Sequence, residues 1–304
     1  MRLALIGAGR WGKKYISTLA SMDGVCLARL GSRNPESARI VPANCKISSD
    51  WHEVATATDI DGVIIATPPA LHARMAIAAL QSGHAALIEK PLTLNLEEAV
   101  AIQDASEKFG RPVMVDHTHL YSEAFRKLKL FVPKLGGALH IEGSAGNFGP
   151  FRSDILPLWD WGVHDVSMCL DIAGKSPEHI VVRRNNFETR DGGLAEDVEF
   201  WLNFSTGLTA HIHVSNLRSD KSRYLTVQCS HGIAIYNDLV EQKLSILTEA
   251  EGQMRPRLEA YMPLTTAIRE FCALIASGIR SSPSLSLGVD CVQTLYRAQC
   301  ALPV

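Results

Sequence analysis

The pattern of apolar and polar positions divides the chain in two. From Met1 to about His119, short apolar runs at Leu3–Ile6, Val25–Leu30, Val63–Thr67, Ala85–Glu89 and Val113–Asp116 alternate with amphipathic segments. That alternation predicts a parallel sheet with helical connections. Pro69–Ser82 carries Leu71, Met75, Ala78 and Ala79 at helical spacing, and Gly83 ends it. The next helix is expected to start at Asn95 as cap, with Glu97 and Glu98 in its first turn, and to stop at Gly110 before Pro112.

After Tyr121 the pattern changes. Helical segments at about 121–132 and 160–173 precede a succession of strands: His179–Phe187, Asp197–Phe204, Leu208–Ser215, Tyr224–Cys229, Ile233–Tyr236 and Leu244–Leu247. Ser205-Thr206-Gly207 and Ser230-His231-Gly232 punctuate them like hairpin turns, so a second, largely antiparallel sheet is expected. Two closing helices, Leu264–Gly278 and Leu287–Ala301, finish the chain, and the pattern leaves open which domain they pack on. The expected organisation is an α/β chain with a dinucleotide-binding domain over 1–119 and a substrate-binding and oligomerisation domain over 120–304.

Composition narrows the partners. Thirty Lys plus Arg stand against 32 Asp plus Glu, so no overall basic field exists to draw in nucleic acid or anionic membrane. No stretch approaches the roughly 20 apolar residues of a membrane-spanning helix, and the apolar start, Met1–Ile6, is too short for an export signal. The 7 cysteines are odd in number, scattered and never spaced Cys-x-x-Cys, which points to reduced thiols and a cytoplasmic protein.

Gly7-Ala8-Gly9-Arg10-Trp11-Gly12 follows the first strand and opens a helix. There, glycines permit a tight turn and let backbone amides approach a pyrophosphate at the helix N-terminus. The second strand leads into Ser32 and Arg33 and offers no carboxylate for a ribose 2′-hydroxyl. Ser32 can donate to a 2′-phosphate and Arg33 can pair with it, which favours NADP over NAD. Thr67 and Pro68 form a rigid loop after another strand, with His72 as an auxiliary cofactor contact. Lys90, in Glu89-Lys90-Pro91, stands at a strand's carboxyl end, where ligands of open α/β sheets sit. On one helix, Asp160 and His164 would share a face, four residues apart.

Taken in order, Gly7–Gly12, Ala66-Thr67-Pro68-Pro69 with His72, Glu89-Lys90-Pro91 and Asp160-x-x-x-His164 resemble the glucose-fructose oxidoreductase / inositol 2-dehydrogenase / MocA family over nearly the whole chain. The resemblance implies a Rossmann domain followed by an open-sheet α+β domain that lines the substrate site, in a homo-oligomer, a dimer or tetramer. It also implies a catalytic group of Lys90, Asp160 and His164, with Glu89 beside the cofactor. The stretch Asp116–Tyr121 is similar to a subgroup acting on sugars or sugar nucleotides, with His119 where that subgroup usually has phenylalanine.

The expected reaction is hydride transfer between nicotinamide and a secondary hydroxyl or ketone of a sugar, sugar nucleotide or polyol. His164 would act as general base, Asp160 would orient it, and Lys90 would stabilise the alkoxide; the roles of Lys90 and His164 are interchangeable at this stage. His117, His119, Tyr121, Arg152 and Trp161 are the substrate-site candidates, while Lys221 and Arg223 could receive an anionic group or lie on the surface. His117-x-His119 and His211-x-His213 have zinc-like spacing, yet no third and fourth ligand is suggested and the lysine-centred chemistry needs no metal, so none is expected. A reductase of another carbonyl or imine, of biliverdin or dihydrodiol type, and a noncatalytic dinucleotide-binding regulator are the alternatives.

Overall fold

The computed structural model describes residues 1–250, 252–259 and 261–302 and contains two compact units. The first comprises Met1–Thr118 with Met262–Val292, and the second His119–Tyr261 with Gln293–Val304.

In chain order the first unit runs β1 (Arg2–Ile6), α1 (Arg10–Ala20), β2 (Cys26–Gly31), β3 (Lys46–Ser48), α2 (Trp51–Ala55), β4 (Gly62–Ile65), α3 (His72–Gln81), β5 (Ala85–Glu89), α4 (Leu96–Phe109) and β6 (Val113–Asp116). Its 6-stranded sheet has the order β3-β2-β1-β4-β5-β6, and every pairing is parallel. The order reverses direction at β1, so the crevice at its carboxyl end is a topological switch point. Central strands are buried on both faces: Leu3, Leu5, Ile64, Ile65, Leu87 and Ile88 have no exposed surface. Each such side chain contributes roughly 1.5–3 kcal/mol relative to an exposed one. Asn95 caps α4 by accepting from the Glu98 amide, and Gly110 closes it in the left-handed conformation, as the pattern indicated.

The second unit has α5 (Glu123–Phe131), β7 (Ala138–Phe148), α6 (Pro157–Asp160), α7 (Gly162–Ala173), β8 (His179–Arg190), β9 (Gly193–Asn203), β10 (Thr209–Ser215), β11 (Leu217–Cys229), β12 (Gly232–Asn237), β13 (Leu244–Thr248) and β14 (Gly252–Met254). Its 8-stranded sheet has the order β14-β13-β12-β11-β7-β10-β9-β8, antiparallel except where β7 meets β10. The chain therefore has the expected α/β architecture, a Rossmann sheet followed by an open, mostly antiparallel one.

Several local expectations are corrected. Strands β3, β7 and β14 were not foreseen, and β7 is central to its sheet. Asn147 and Phe148 lie at the end of β7. The helix expected over 160–173 is two helices: Trp161 lies between α6 and α7, and the His164 amide bonds back three residues to the Trp161 carbonyl at 3.0 Å. Asp160 therefore ends one helix while His164 starts another, and the one-helix reason for pairing them does not apply. His117 and His119 do not share a strand, because β6 stops at Asp116 and a 3₁₀ turn occupies Thr118–Tyr121.

The closing helices are α8 (Pro263–Ser277) and α9 (Pro283–Cys300). In the first unit a Cβ at Gly62 would lie 2.7 Å from Ile275 of α8, and Ser284 of α9 donates toward Val115 of β6 while accepting from its amide at 2.9 Å. In the second unit Arg297 of α9 donates to the carbonyls of Pro177 and Glu178.

Candidate functional site

The turn from β1 into α1 is built by glycine. Gly7 has φ +103°, and a Cβ there would lie 2.5 Å from the Ala66 carbonyl oxygen. At Gly12 a Cβ would stand 2.0 Å from the Gly7 carbonyl oxygen, so only glycine lets helix and turn approach this closely. Gly9, the N-cap of α1, has open space where its side chain would be. These three positions perform the three tasks of a pyrophosphate-binding turn: tight bend, close ligand approach and helix packing.

Around the turn lies a cleft of about 690 Å³, whose walls include Gly7, Gly9, Ser32, Arg33, Thr67 and Pro68. Its size and its donors fit a dinucleotide. Arg10 is exposed and Trp11 lies beneath the Lys14 ammonium, 4.0 Å from its ring centre; Gly12 acts by packing. The Ser32 hydroxyl shares a hydrogen bond with Ser37 at 2.8 Å and accepts from the Asn34 amide at 3.2 Å, which holds the loop carrying Arg33. Arg33 is exposed, and Arg74 and Trp51, not singled out in the sequence, line the same cleft. A basic pair on a phosphate-sized cleft was hidden because Arg74 lies on α3, 41 positions from Arg33.

His72 is not a cofactor contact. Its ring is fully buried, with Nε2 2.9 Å from the Thr67 carbonyl and Nδ1 3.1 and 3.2 Å from those of Pro91 and Leu92. Burial pulls its pKa down, against the pull of those carbonyls. The imidazole clasps the loop after β4 to the loop after β5, and so fixes the backbone on either side of the cleft wall and Lys90.

Lys90 directly follows β5 among buried ionisable groups. Glu89 and Asp116 are register partners on β5 and β6. The Tyr15 hydroxyl donates to Asp116 Oδ2 at 2.6 Å. Burial first, then the Asp116 charge, raises the Glu89 carboxyl well above its usual range, and Lys90 opposes this. Burial raises Asp116 from 3.8 to about 6, with Tyr15 and Lys90 opposing. Two carboxyls that close cannot both ionise cheaply, so the cluster holds a proton near neutrality. His117 is also buried. Desolvation, and then the Lys90 charge, lower its pKa to about 3, and neither ring nitrogen has a hydrogen-bond partner among the described residues. A neutral imidazole with both nitrogens unsatisfied is an expensive feature to retain.

The second unit has its own small cavity, walled by His119, Trp161, His164, Asp165, Arg223 and Tyr236 among others. The rings of His119 and His164 meet edge to face with centres 4.8 Å apart. Nδ1 of His119 is 2.8 Å from the Tyr236 hydroxyl, which donates to Asp238 at 3.3 Å, and Lys243 donates to the same carboxylate at 2.7 Å. Of the other candidates, Tyr121 is buried, with the Arg126 guanidinium 5.4 Å from its ring centre, so its face is covered. Arg152 makes a two-pronged pair with Asp154 at 2.9 and 2.7 Å and reaches Asp160 at 3.5 Å. Trp159 is buried and donates to Gln299, which makes it core.

The His211-x-His213 pair lies on β10 amid carboxylates. His211 bridges Glu142 and Glu199 at 3.0 Å each, and His213 faces Asp197 at 3.1 Å. Potential ligand atoms of Asp197, Glu199 and His213 come within 4.8 Å of one another. Arg183 and Asn185 already donate to the same carboxylates, so this network is satisfied from within the protein.

Comparison with known proteins places these features. Residues 1–117 match the NAD-binding Rossmann-fold model of the GFO/IDH/MocA oxidoreductase family, and residues 105–235 match the GFO/IDH/MocA C-terminal domain. A 4-carboxy-2-hydroxymuconate-6-semialdehyde dehydrogenase of Sphingobium sp. is 28% identical, with 99% of each chain covered. An inositol 2-dehydrogenase of Klebsiella pneumoniae is 30% identical over 68% of this chain and 69% of its own length. A crystal structure from Magnetospirillum magnetotacticum MS-1, provisionally described as an oxidoreductase, superimposes with a TM-score of 0.90 at 41% identity, covering 97% of this chain and 98% of that one.

Proposed function

The chain belongs to the GFO/IDH/MocA family of NAD(P)-binding oxidoreductases, and from that premise we propose that it moves a hydride between nicotinamide and a carbinol or carbonyl carbon of a small polyhydroxylated substrate, a sugar or polyol, with NADP as the preferred cofactor. The observation that carries this reading is the cleft of about 690 Å³ on the glycine turn at the sheet's switch point. The bound dinucleotide supplies the hydride acceptor or donor.

The residues supply the rest. Amides at the α1 N-terminus bind the pyrophosphate, while Arg33 and Arg74 receive the 2′-phosphate. Lys90, beside the buried Glu89–Asp116 pair, hydrogen-bonds the carbinol oxygen and stabilises the charge that develops there. His164 takes the hydroxyl proton as general base. The edge contact with His119, itself held by Tyr236, fixes the plane of that imidazole. We further propose a cytoplasmic homo-oligomer, a dimer or tetramer. No helix among the described residues is long and apolar enough to cross a membrane.

Titrating the protein with NADPH and NADH by fluorescence, then screening aldoses, polyols and sugar nucleotides by nicotinamide absorbance, tests the reading. Tighter binding of NADPH and turnover of at least one polyhydroxylated compound are expected. Equal or tighter NADH binding removes the cofactor preference, and absence of binding to either removes the function.

A further inference from the structure

Arg223 lies on β11, half-buried in the wall of the second unit's cavity, and its guanidinium makes no hydrogen bond and no ion pair with the described residues. The two carboxyl groups that could neutralise it are otherwise disposed. Asp238 is taken by Lys243 at 2.7 Å and by the Tyr236 hydroxyl. Asp165 is fully buried, and burial raises its carboxyl from 3.8 to about 8, so at neutral pH it carries a proton and no charge. Its Oδ2 is enclosed and has no hydrogen-bond partner. The cavity wall thus holds a guanidinium with no hydrogen bond or ion pair among the described residues, its charge felt by the Asp238 carboxylate that Lys243 already pairs, beside an unused carboxyl oxygen. Charges withdrawn from water are ordinarily paired, and buried polar atoms are ordinarily bonded. Both rules are broken in one wall, and one ligand group would restore both.

We infer that this cavity recognises a carboxylate on the substrate, with Arg223 as the residue that binds it, so that the oxidised or reduced molecule is a carboxylated polyol such as a sugar acid rather than a neutral sugar. The inference rests on the oxidoreductase reading above. A planar carboxylate matches the two-pronged donor array of guanidinium, and one protonated Asp165 oxygen can donate to it as well. One arginine balances one carboxylate, whereas a phosphate dianion would carry a second negative charge that this arginine does not balance. Of the other basic residues on this strand, Lys221 is exposed and absent from the cavity wall, and Arg218 donates to Ser144 at 2.7 Å.

Acid and neutral partners differing only in the carboxylate test the inference: D-glucuronate against D-glucose, D-galacturonate against D-galactose, and D-gluconate against D-sorbitol. Dissociation constants are read at pH 7.5 from Trp fluorescence with NADP present, on the full chain, for wild type, Arg223→Gln and Arg223→Lys. In at least one pair the acid is expected to bind wild type about 10-fold or more tightly than its neutral partner, as hydrogen bonds to a charged group allow. Arg223→Gln should abolish that ratio while leaving the neutral partner within about twofold, and Arg223→Lys should keep part of it. Circular dichroism and NADPH titration show whether the variants are folded. Neutral members binding as well as acids in all pairs, or an acid preference that survives Arg223→Gln in a folded variant, overturns the inference. Because the readout is a ratio of binding constants, it stands apart from turnover: an acid preference without nicotinamide chemistry would sink the oxidoreductase reading and leave the anion site.

Discussion

The enclosed Asp165 carboxyl makes the pH dependence of stability a direct measure of the cavity's electrostatics. The group sits on α7 with no exposed charge-bearing surface, and Gly143 of β7 makes room for it: a Cβ there would lie 3.1 Å from Oδ1. Desolvation lifts its pKa from 3.8 to about 8, opposed by the Arg223 charge and the residue's own amide. Below about pH 4 the folded and unfolded chains both hold the proton, and ionisation costs nothing. Between about pH 4 and 8 the unfolded carboxyl ionises while the folded one does not. The unfolded state then binds fewer protons, so stability falls as pH rises, at about 1.4 kcal/mol per pH unit from this group. By pH 8 the loss is of the order of 5 kcal/mol, a large fraction of an ordinary folding free energy.

The perturbation that isolates this contribution is Asp165→Asn, which keeps the shape and removes the ionisation. Urea unfolding followed by Trp fluorescence at half-unit steps from pH 4.5 to 8.5, in wild type and variant, supplies the difference. Contributions from Glu89, Asp116 and His117 cancel in that difference because both proteins carry them. The variant is expected to match wild type near pH 4.5 and to exceed it progressively, by roughly 3–4 kcal/mol at pH 7. Parallel curves across the range would refute the claim that Asp165 is neutral in the folded protein, and with it the argument that Arg223 lacks a counter-ion.

The remaining expectations concern the cleft, Lys90 and Tyr236. Lys90→Ala should bind NADPH normally and lose turnover by about 10²-fold or more; undiminished kcat would remove it from the chemistry. Arg33→Ala should lower the NADPH-to-NADH affinity ratio by about 10-fold, as expected for loss of a charge-assisted phosphate contact, and an unchanged ratio would place the 2′-phosphate elsewhere. Gly12→Ala puts a methyl 2.0 Å from the Gly7 carbonyl oxygen and should cost about 3 kcal/mol or more with loss of dinucleotide binding; a native-like melting temperature would contradict the geometry. Tyr236→Phe deprives His119 and Asp238 of a shared hydroxyl and should destabilise by about 1–3 kcal/mol while altering the pH profile of kcat/KM, whereas an unaltered profile would make Tyr236 packing alone.

What the sequence made legible follows from how each element is stabilised. The strands at Leu3, Val63 and Ala85 are buried on both faces, so nearly every residue in them is apolar and the runs stand out. Strand β3, Lys46–Ser48, is a short sheet edge, half-exposed, and carries no such signal. Strand β7 is long and central yet equally silent. It reads Ala-Leu-His-Ile-Glu-Gly-Ser-Ala-Gly-Asn-Phe, because one face carries the polar His140 and Glu142 and because neighbours press on its glycines. A Cβ at Gly146 would lie 2.4 Å from the Ser215 carbonyl oxygen. Those glycines resemble turn residues on paper and are close-approach residues in the sheet. The break at Trp161 was hidden for a related reason: Asp160 to Ala173 is good helical sequence, and only the structure shows that α6 ends before His164.

Site residues divide along the same line. Gly7, Gly9 and Gly12 were readable because the turn's demands are local. The meaning of Lys90 and Arg223 depends on what surrounds them, and in sequence both are basic residues near the end of an apolar stretch. The fold gives Lys90 two carboxyl neighbours, Glu89 and Asp116, whose pKa values burial raises and the Lys90 charge pulls back down. That ammonium is therefore compensated before any substrate arrives, and it can turn toward a developing alkoxide without leaving its own charge unbalanced. Arg223 has a neutral acid, a carboxylate already paired with Lys243, and a cavity. The counter-charge for Lys90 thus comes from the protein, and that for Arg223 from the ligand. Loss of Lys90 leaves carboxyls that relax by taking up protons, so the fold should survive while the chemistry fails. Loss of Arg223 relieves an unpaired charge, so the protein should be no less stable without substrate and bind the acid more weakly with it. That opposite pairing of stability and affinity separates a residue kept for recognition from one kept for folding.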